Sequence, residues 1–179
     1  MPITVEDGTN VANADGWADQ PTFEQWQVDF QGAASAKDVP SQEAAIRRAV
    51  IYLDSLPWVG RKTHGRAQAL SWPRSGASDG SGDAIGDAEI PAELIRSQHM
   101  LAWAELQSAG ILNPSVNMAN AKTLTKADVI AWTHTGAEGS SIDAHRTLVM
   151  GALDTIIGLL AEDVRDVKDY DTTYLGVFG

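Results

Sequence analysis

Cations and aromatic rings are interleaved in one stretch of this sequence, where Trp58, Arg61, Lys62, His64, Arg66, Trp72 and Arg74 follow one another. That mixture is what proteins use to hold a single nucleic-acid strand, with rings stacking on bases and cations following the phosphates. A second reading makes Trp58 and Trp72 anchors of a core or loop and pairs the arginines with acidic neighbours in the same or the next subunit. Charge weighs for the second. Between Arg47 and Arg74 six cations stand against Asp54 alone, a local +5, whereas the whole chain carries −11, which leaves −16 for the rest. Such a body opposes a long unaided hold on a phosphate backbone, because that affinity comes from Lys and Arg displacing counterions.

Other chemistries find less support. A phosphate-binding loop needs Gly-Lys-Ser/Thr at the start of a helix, and Gly80-Ser81-Gly82 is only a lone Gly-x-Gly among turns. Asp79, Ser81, Asp83 and Asp87 offer oxygens for calcium, but Ile90 occupies the position where an EF-hand places its bidentate Glu. The histidines His64, His99, His134 and His145 show no metal-type pair at i, i+4, and there is no Gly-x-Ser-x-Gly elbow and no cysteine. No nucleophile, base and orienting group are brought together by sequence alone, so the expectation is a protein that is not an enzyme and takes neither cofactor nor metal. Met1 to Asn10 has no basic stretch followed by an apolar run, and no segment approaches the roughly 20 apolar residues of a membrane span.

The elements that must position these residues are mostly helical. Val5-Glu6-Asp7-Gly8-Thr9 reads as an extended piece entering a turn. After Pro21, Thr22 as cap with Gln25 opens a helix carrying Phe23, Trp26, Gln27 and Phe30. Ser41 is the expected cap of a second helix, whose stripe of Ile46, Ala49, Val50, Leu53 and Leu56 faces a core and which stops by Pro57. Trp58 to Glu89, rich in glycine, is a long ordered loop. Pro91 to Ala109 is a third helix bounded by Gly110 and Pro114, with Leu94 and Leu101 on one side and Trp103 on the other, as in a helix buried centrally or touching a second subunit. Asn113 to Thr135 is ambiguous between helix and strand. Ser141 to Ala161 is the last long helix, with Gly151 and Gly158 on its less apolar side, where close packing is one reading and chance the other. The tail is polar and ends in the apolar Tyr174-Leu175-Gly176-Val177-Phe178.

Several of these segments, in this order, resemble a phage family: Val5-Glu6-Asp7-Gly8-Thr9 through Ala12-Asn13-Ala14, Arg48-Ala49 with Tyr52-Leu53-Asp54, Trp58-Val59-Gly60-Arg61-Lys62, Gln68-Ala69-Leu70-Ser71-Trp72-Pro73-Arg74-Ser75-Gly76, and Ile90-Pro91. That family carries the label of DnaT-like single-stranded-DNA-binding proteins, while its members resemble head-tail connector proteins of tailed phages. The resemblance covers roughly residues 3 to 106 and implies an all-helical subunit. Its implied place is a ring, a dodecamer in such connectors, in the virion neck between capsid and tail, made in the host cytoplasm. The implied partners are the portal protein and a stopper or tail-terminator protein, with double-stranded DNA passing through unbound. An acidic chain suits a channel wall better than a strand binder, since like charge prevents sticking.

The expectation is therefore a mainly α single domain, a helical bundle of four or five helices with a long ordered loop and extended N- and C-terminal arms, spanning residues 1–161 with a C-terminal arm at 162–179. Its expected role is a head-tail connector subunit. Expected subunit contacts are Trp58, Arg61, Lys62, Arg66, Trp72 and Arg74, with Tyr174, Leu175, Val177 and Phe178 as a docking hook and Asp163, Asp166, Asp169 and Asp171 lining the channel. The alternative is a single-stranded-DNA-binding replication accessory acting through Trp58, Arg61, Lys62, Arg66 and Trp72.

Overall fold

The computed structural model describes residues 1–112 and 151–160. Helices α1 (Gln20–Gln31) and α2 (Val39–Asp54) begin alike, at Asp19-Gln20-Pro21-Thr22 and Asp38-Val39-Pro40-Ser41. In each the aspartate is the cap. Its carboxylate accepts from the backbone N–H three residues on, that of Thr22 at 3.0 Å and that of Ser41 at 3.3 Å. The caps thus stand three residues before the expected Thr22 and Ser41: proline in the first turn has no N–H, and the next one needs an acceptor. The Thr22 hydroxyl also donates to Asp19 at 2.6 Å, and this bond, above all, holds the Asp19 carboxyl below its ordinary value. Helix α1 ends at Gly32, whose φ of 82° is the left-handed turn a helix end favours.

Helix α3 (Ala92–Gln107) starts behind Pro91 and packs chiefly against α2, with α1 leaning on both. Of the last helix expected over Ser141 to Ala161, only residues 151–160 are described; 151–156 are helical and run into a 3-10 turn at Ile157–Leu159, so the helix stops before the expected Ala161, where Leu160 instead bridges to Trp58. The predicted stripes meet in the centre: Ile46, Ala49 and Leu53 from α2, Leu94 and Leu101 from α3, Phe23 from α1, and Ala152 and Ile156 are fully buried. Each large side chain so buried contributes about 1.5–3 kcal/mol relative to exposure.

Buried amides and acids fasten the connections. Gln42 accepts at 3.2 Å from both Gln20 and Gln27, which ties α1 to α2. Gln98 of α3 accepts from Trp17 N–H at 2.8 Å and donates to Ala18 C=O at 2.9 Å. Glu6, in the expected N-terminal turn, buries its carboxylate against the N–H groups of Gly8, Asn10 and Val11 at 2.9–3.0 Å.

The long loop is ordered, as expected, but it also contains a small antiparallel sheet. Strands β1 (Arg61–Lys62) and β2 (Arg74–Ser75) pair with Arg61 opposite Ser75 and Lys62 opposite Arg74. Gly60, at φ 67°, makes the approach possible, since a Cβ there would stand 2.6 Å from Ser75 O. This corrects the expectation of a helical bundle: the molecule is mostly helical with a two-stranded sheet, because the glycines that break the helical period let the chain fold back and pair. The tail hook, the four candidate channel aspartates and the ambiguous segment lie outside the described residues.

Candidate nucleic-acid interface

The segment that mixes cations and rings divides into an inside and an outside. Trp58 and Trp72 are inside, 6% and 0% exposed, edge to face at 5.8 Å and 83°. The Trp58 indole N–H donates to Leu53 C=O at 3.0 Å, fixing the ring to the end of α2. Neither ring has a face left for a base. Here the anchor reading of the two tryptophans holds.

Arg74 is turned inward as well. Its guanidinium donates to the backbone carbonyls of Val59 at 2.5 Å, Gly60 at 2.6 Å, Ser71 at 3.1 Å and Trp58 at 3.4 Å. Burial pulls its pKa below the ordinary arginine value, with the charge of Asp54 opposing. Gln68 does the same work nearby, accepting from His64 N–H and donating to Leu70 and Pro73 carbonyls at 2.9 Å. Asp54 accepts from Ser71 N–H, and Val59 N–H donates to Leu159 C=O at 3.0 Å. The run from Gln68 to Arg74, the most distinctive in the sequence, is therefore a folding device that makes a rigid pedestal.

What the pedestal carries outward is cationic. Arg61 and Arg66 are exposed, Lys62 is half-buried with its amine 3.5 Å from Gln68 O, and Arg66 rides the 3-10 turn Gly65–Ala67 beside exposed His64. The sequence holds no carboxylate from Ser55 to Ser78, and among the described residues none of Arg61, Lys62 and Arg66 forms an ion pair. A cavity of about 470 Å³ lies between Gly60, Arg61, Ser75, Gly76 and Asp87. The remaining cations of the patch are already engaged: Arg47 with Asp15 at 2.7 Å and Glu43 at 3.6 Å, Arg48 with buried Glu105 at 3.3 Å. Of the six cations of the basic segment, Arg61, Lys62 and Arg66 thus form no ion pair among the described residues and face outward.

The acidic loop that follows has its own use for its carboxylates. Asp79 accepts from Ser81 and Asp83 N–H at 2.8 and 2.9 Å, a side chain closing a turn. Among the described residues no group of three or more possible ligands could hold a metal ion.

Sequence reasoning missed one surface. Trp26, Phe30, Gln31, Arg96, Met100 and Trp103 line a cleft of about 360 Å³ between α1 and α3. The signal was present in the aromatic spacing of α1 and in Trp103 standing opposite Leu101.

A family model described as "Putative DnaT-like ssDNA binding protein" matches residues 1–167. No curated protein and no solved structure gives a match. The family description overturns the head-tail connector role expected above, and with it the virion and portal-binding character: it names binding to single-stranded DNA and favours the alternative.

Proposed function

The chain belongs to the DnaT-like ssDNA-binding family, and on that premise we propose that it binds single-stranded DNA, with Arg61, Lys62 and Arg66 following the phosphates. The observation that carries this reading is the sorting of one basic segment into buried anchors and three cations on a rigid support that form no ion pair among the described residues. Anion contact needs cations not already paired, and among the described residues none of Arg61, Lys62 and Arg66 forms an ion pair, although Asp87 lines the cavity beside Arg61. A support ordered in advance lowers the entropy cost of holding a strand. The proposed action is binding alone, without catalysis or cofactor.

Fluorescence anisotropy of a labelled oligothymidylate at low salt is the test. The wild type should bind, and Arg61→Glu with Arg66→Glu should weaken binding at least tenfold with an unchanged unfolding midpoint. Equal affinity in the two proteins would exclude this surface.

A further inference from the structure

A single-strand binder needs ring faces as well as cations, and the basic segment has none to give, since Trp58 and Trp72 face each other in the core. Among the described residues, rings open to solvent cluster elsewhere, in the cleft between α1 and α3. Phe23, Trp26 and Phe30 stand one turn apart on α1 and stack in series, Phe23 on Trp26 at 6.2 Å and 17°, Trp26 on Phe30 at 5.6 Å and 25°. The series runs from full burial at Phe23 to 67% exposure at Phe30. His99, 5.7 Å from the Trp26 ring, backs it from α3, so Trp26 is held in place before any ligand arrives. Trp103 and Met100 form the opposite wall.

Charge selects the occupant. Among the described residues the cleft is lined by one cation, Arg96, and by no carboxylate, and Arg96 is exposed and forms no ion pair. The nearby acids of α1 are occupied with amides of their own helix, Glu24 with Gln20 at 2.9 Å and Asp29 with Gln25 at 2.8 Å. The larger cavity of about 700 Å³ beside α2 has one ring, Tyr52, and its Arg48 is neutralised by Glu105. A flat ring carried on an anionic backbone matches rings beside an unpaired guanidinium. A second copy of a chain carrying −11 matches them poorly.

We propose that the cleft of Phe30 and Trp103, backed by Trp26 and rimmed by Arg96, is the stacking subsite for a base of single-stranded DNA. This rests on the function proposed above and adds a second contact region to it. Base-on-ring stacking is worth roughly 1–3 kcal/mol per base, which corresponds to about 5- to 150-fold in affinity.

The test is oligothymidylate binding, read by anisotropy and by quenching of intrinsic tryptophan fluorescence, in wild type, Phe30→Ala, Phe30→Tyr and Arg96→Ala. Phe30 is exposed enough that its loss leaves the fold intact, which circular dichroism verifies. Phe30→Ala should bind roughly tenfold more weakly with the salt slope unchanged, Phe30→Tyr should restore affinity, and Arg96→Ala should make the slope shallower by about 0.7. If the wild type binds and the Phe30 and Arg96 variants bind equally well, without quenching, the subsite is excluded and the strand-binding function stands. If Phe30→Ala changes only self-association in sedimentation, the cleft belongs to a second copy and the proposal falls. A wild type that binds no strand removes the function and the subsite together.

Discussion

His99 sits beneath the Trp26 ring with its Nε2 buried and, among the described residues, without a hydrogen-bond partner. Burial lowers its pKa from 6.5 to about 4, the charge of Asp19 offsetting part of the effect. Below pH 6.5 the unfolded chain takes up a proton at this residue that the folded chain refuses until about pH 4, so stability from this group is present above 6.5 and declines as pH falls through that window. The loss should reach on the order of 3 kcal/mol by pH 4. Urea denaturation of wild type against His99→Gln should show it: the difference in unfolding free energy between the two should shift by this amount between pH 7 and pH 4, and a constant difference would mean that His99 is solvated. Arg74 teaches a related lesson, because a guanidinium surrounded by four carbonyls is a structural group however basic its neighbourhood looks in sequence.

The pedestal is held at its far side by the element that contains Gly158. A Cβ on Gly158 would stand 2.7 Å from Gly80 N and 2.8 Å from Gly80 Cα, both backbone atoms with no rotamer to yield. Gly158→Ala should therefore destabilise by about 1–3 kcal/mol, and Gly80→Ala by less, since its Cβ would meet Gly158 Cα at 3.3 Å. Chemical denaturation ranks them, and equal midpoints for Gly158→Ala and wild type would show that the loop can slide away. Of the two glycines singled out by position in the last helix, Gly158 has this close contact, whereas a Cβ on Gly151 would meet Met100 at an ordinary 3.7 Å. The helices themselves were legible, because proline, glycine and the 3.6-residue stripe are local signals. The caps were displaced toward Asp19 and Asp38 because the decisive group was the N–H that follows a proline.

Across the whole molecule the net charge of −11 sets how the proposed strand contact behaves. With Arg61, Lys62 and Arg66 on the basic segment and Arg96 at the cleft, log affinity should fall with log salt at a slope of about −3, from −0.7 per phosphate on a single strand. A salt titration of the anisotropy signal measures it, and a slope near zero would mean that the cations touch no phosphate. The sequence by itself determined the helical character, the C-terminal ends of the first three helices to within two residues, the ordered glycine-rich loop and the presence of a basic segment, because these depend on residues near one another in the chain. Only the tertiary structure decided which rings and cations are available. Trp58 and Trp72 are spent on each other, Arg74 on carbonyls up to 16 residues away, Arg48 on Glu105, 57 residues on. The cleft of Trp26, Phe30 and Trp103 exists because α1 and α3 cross. Acceptors and ring faces supplied from distant segments leave no local pattern, so availability is a property of packing.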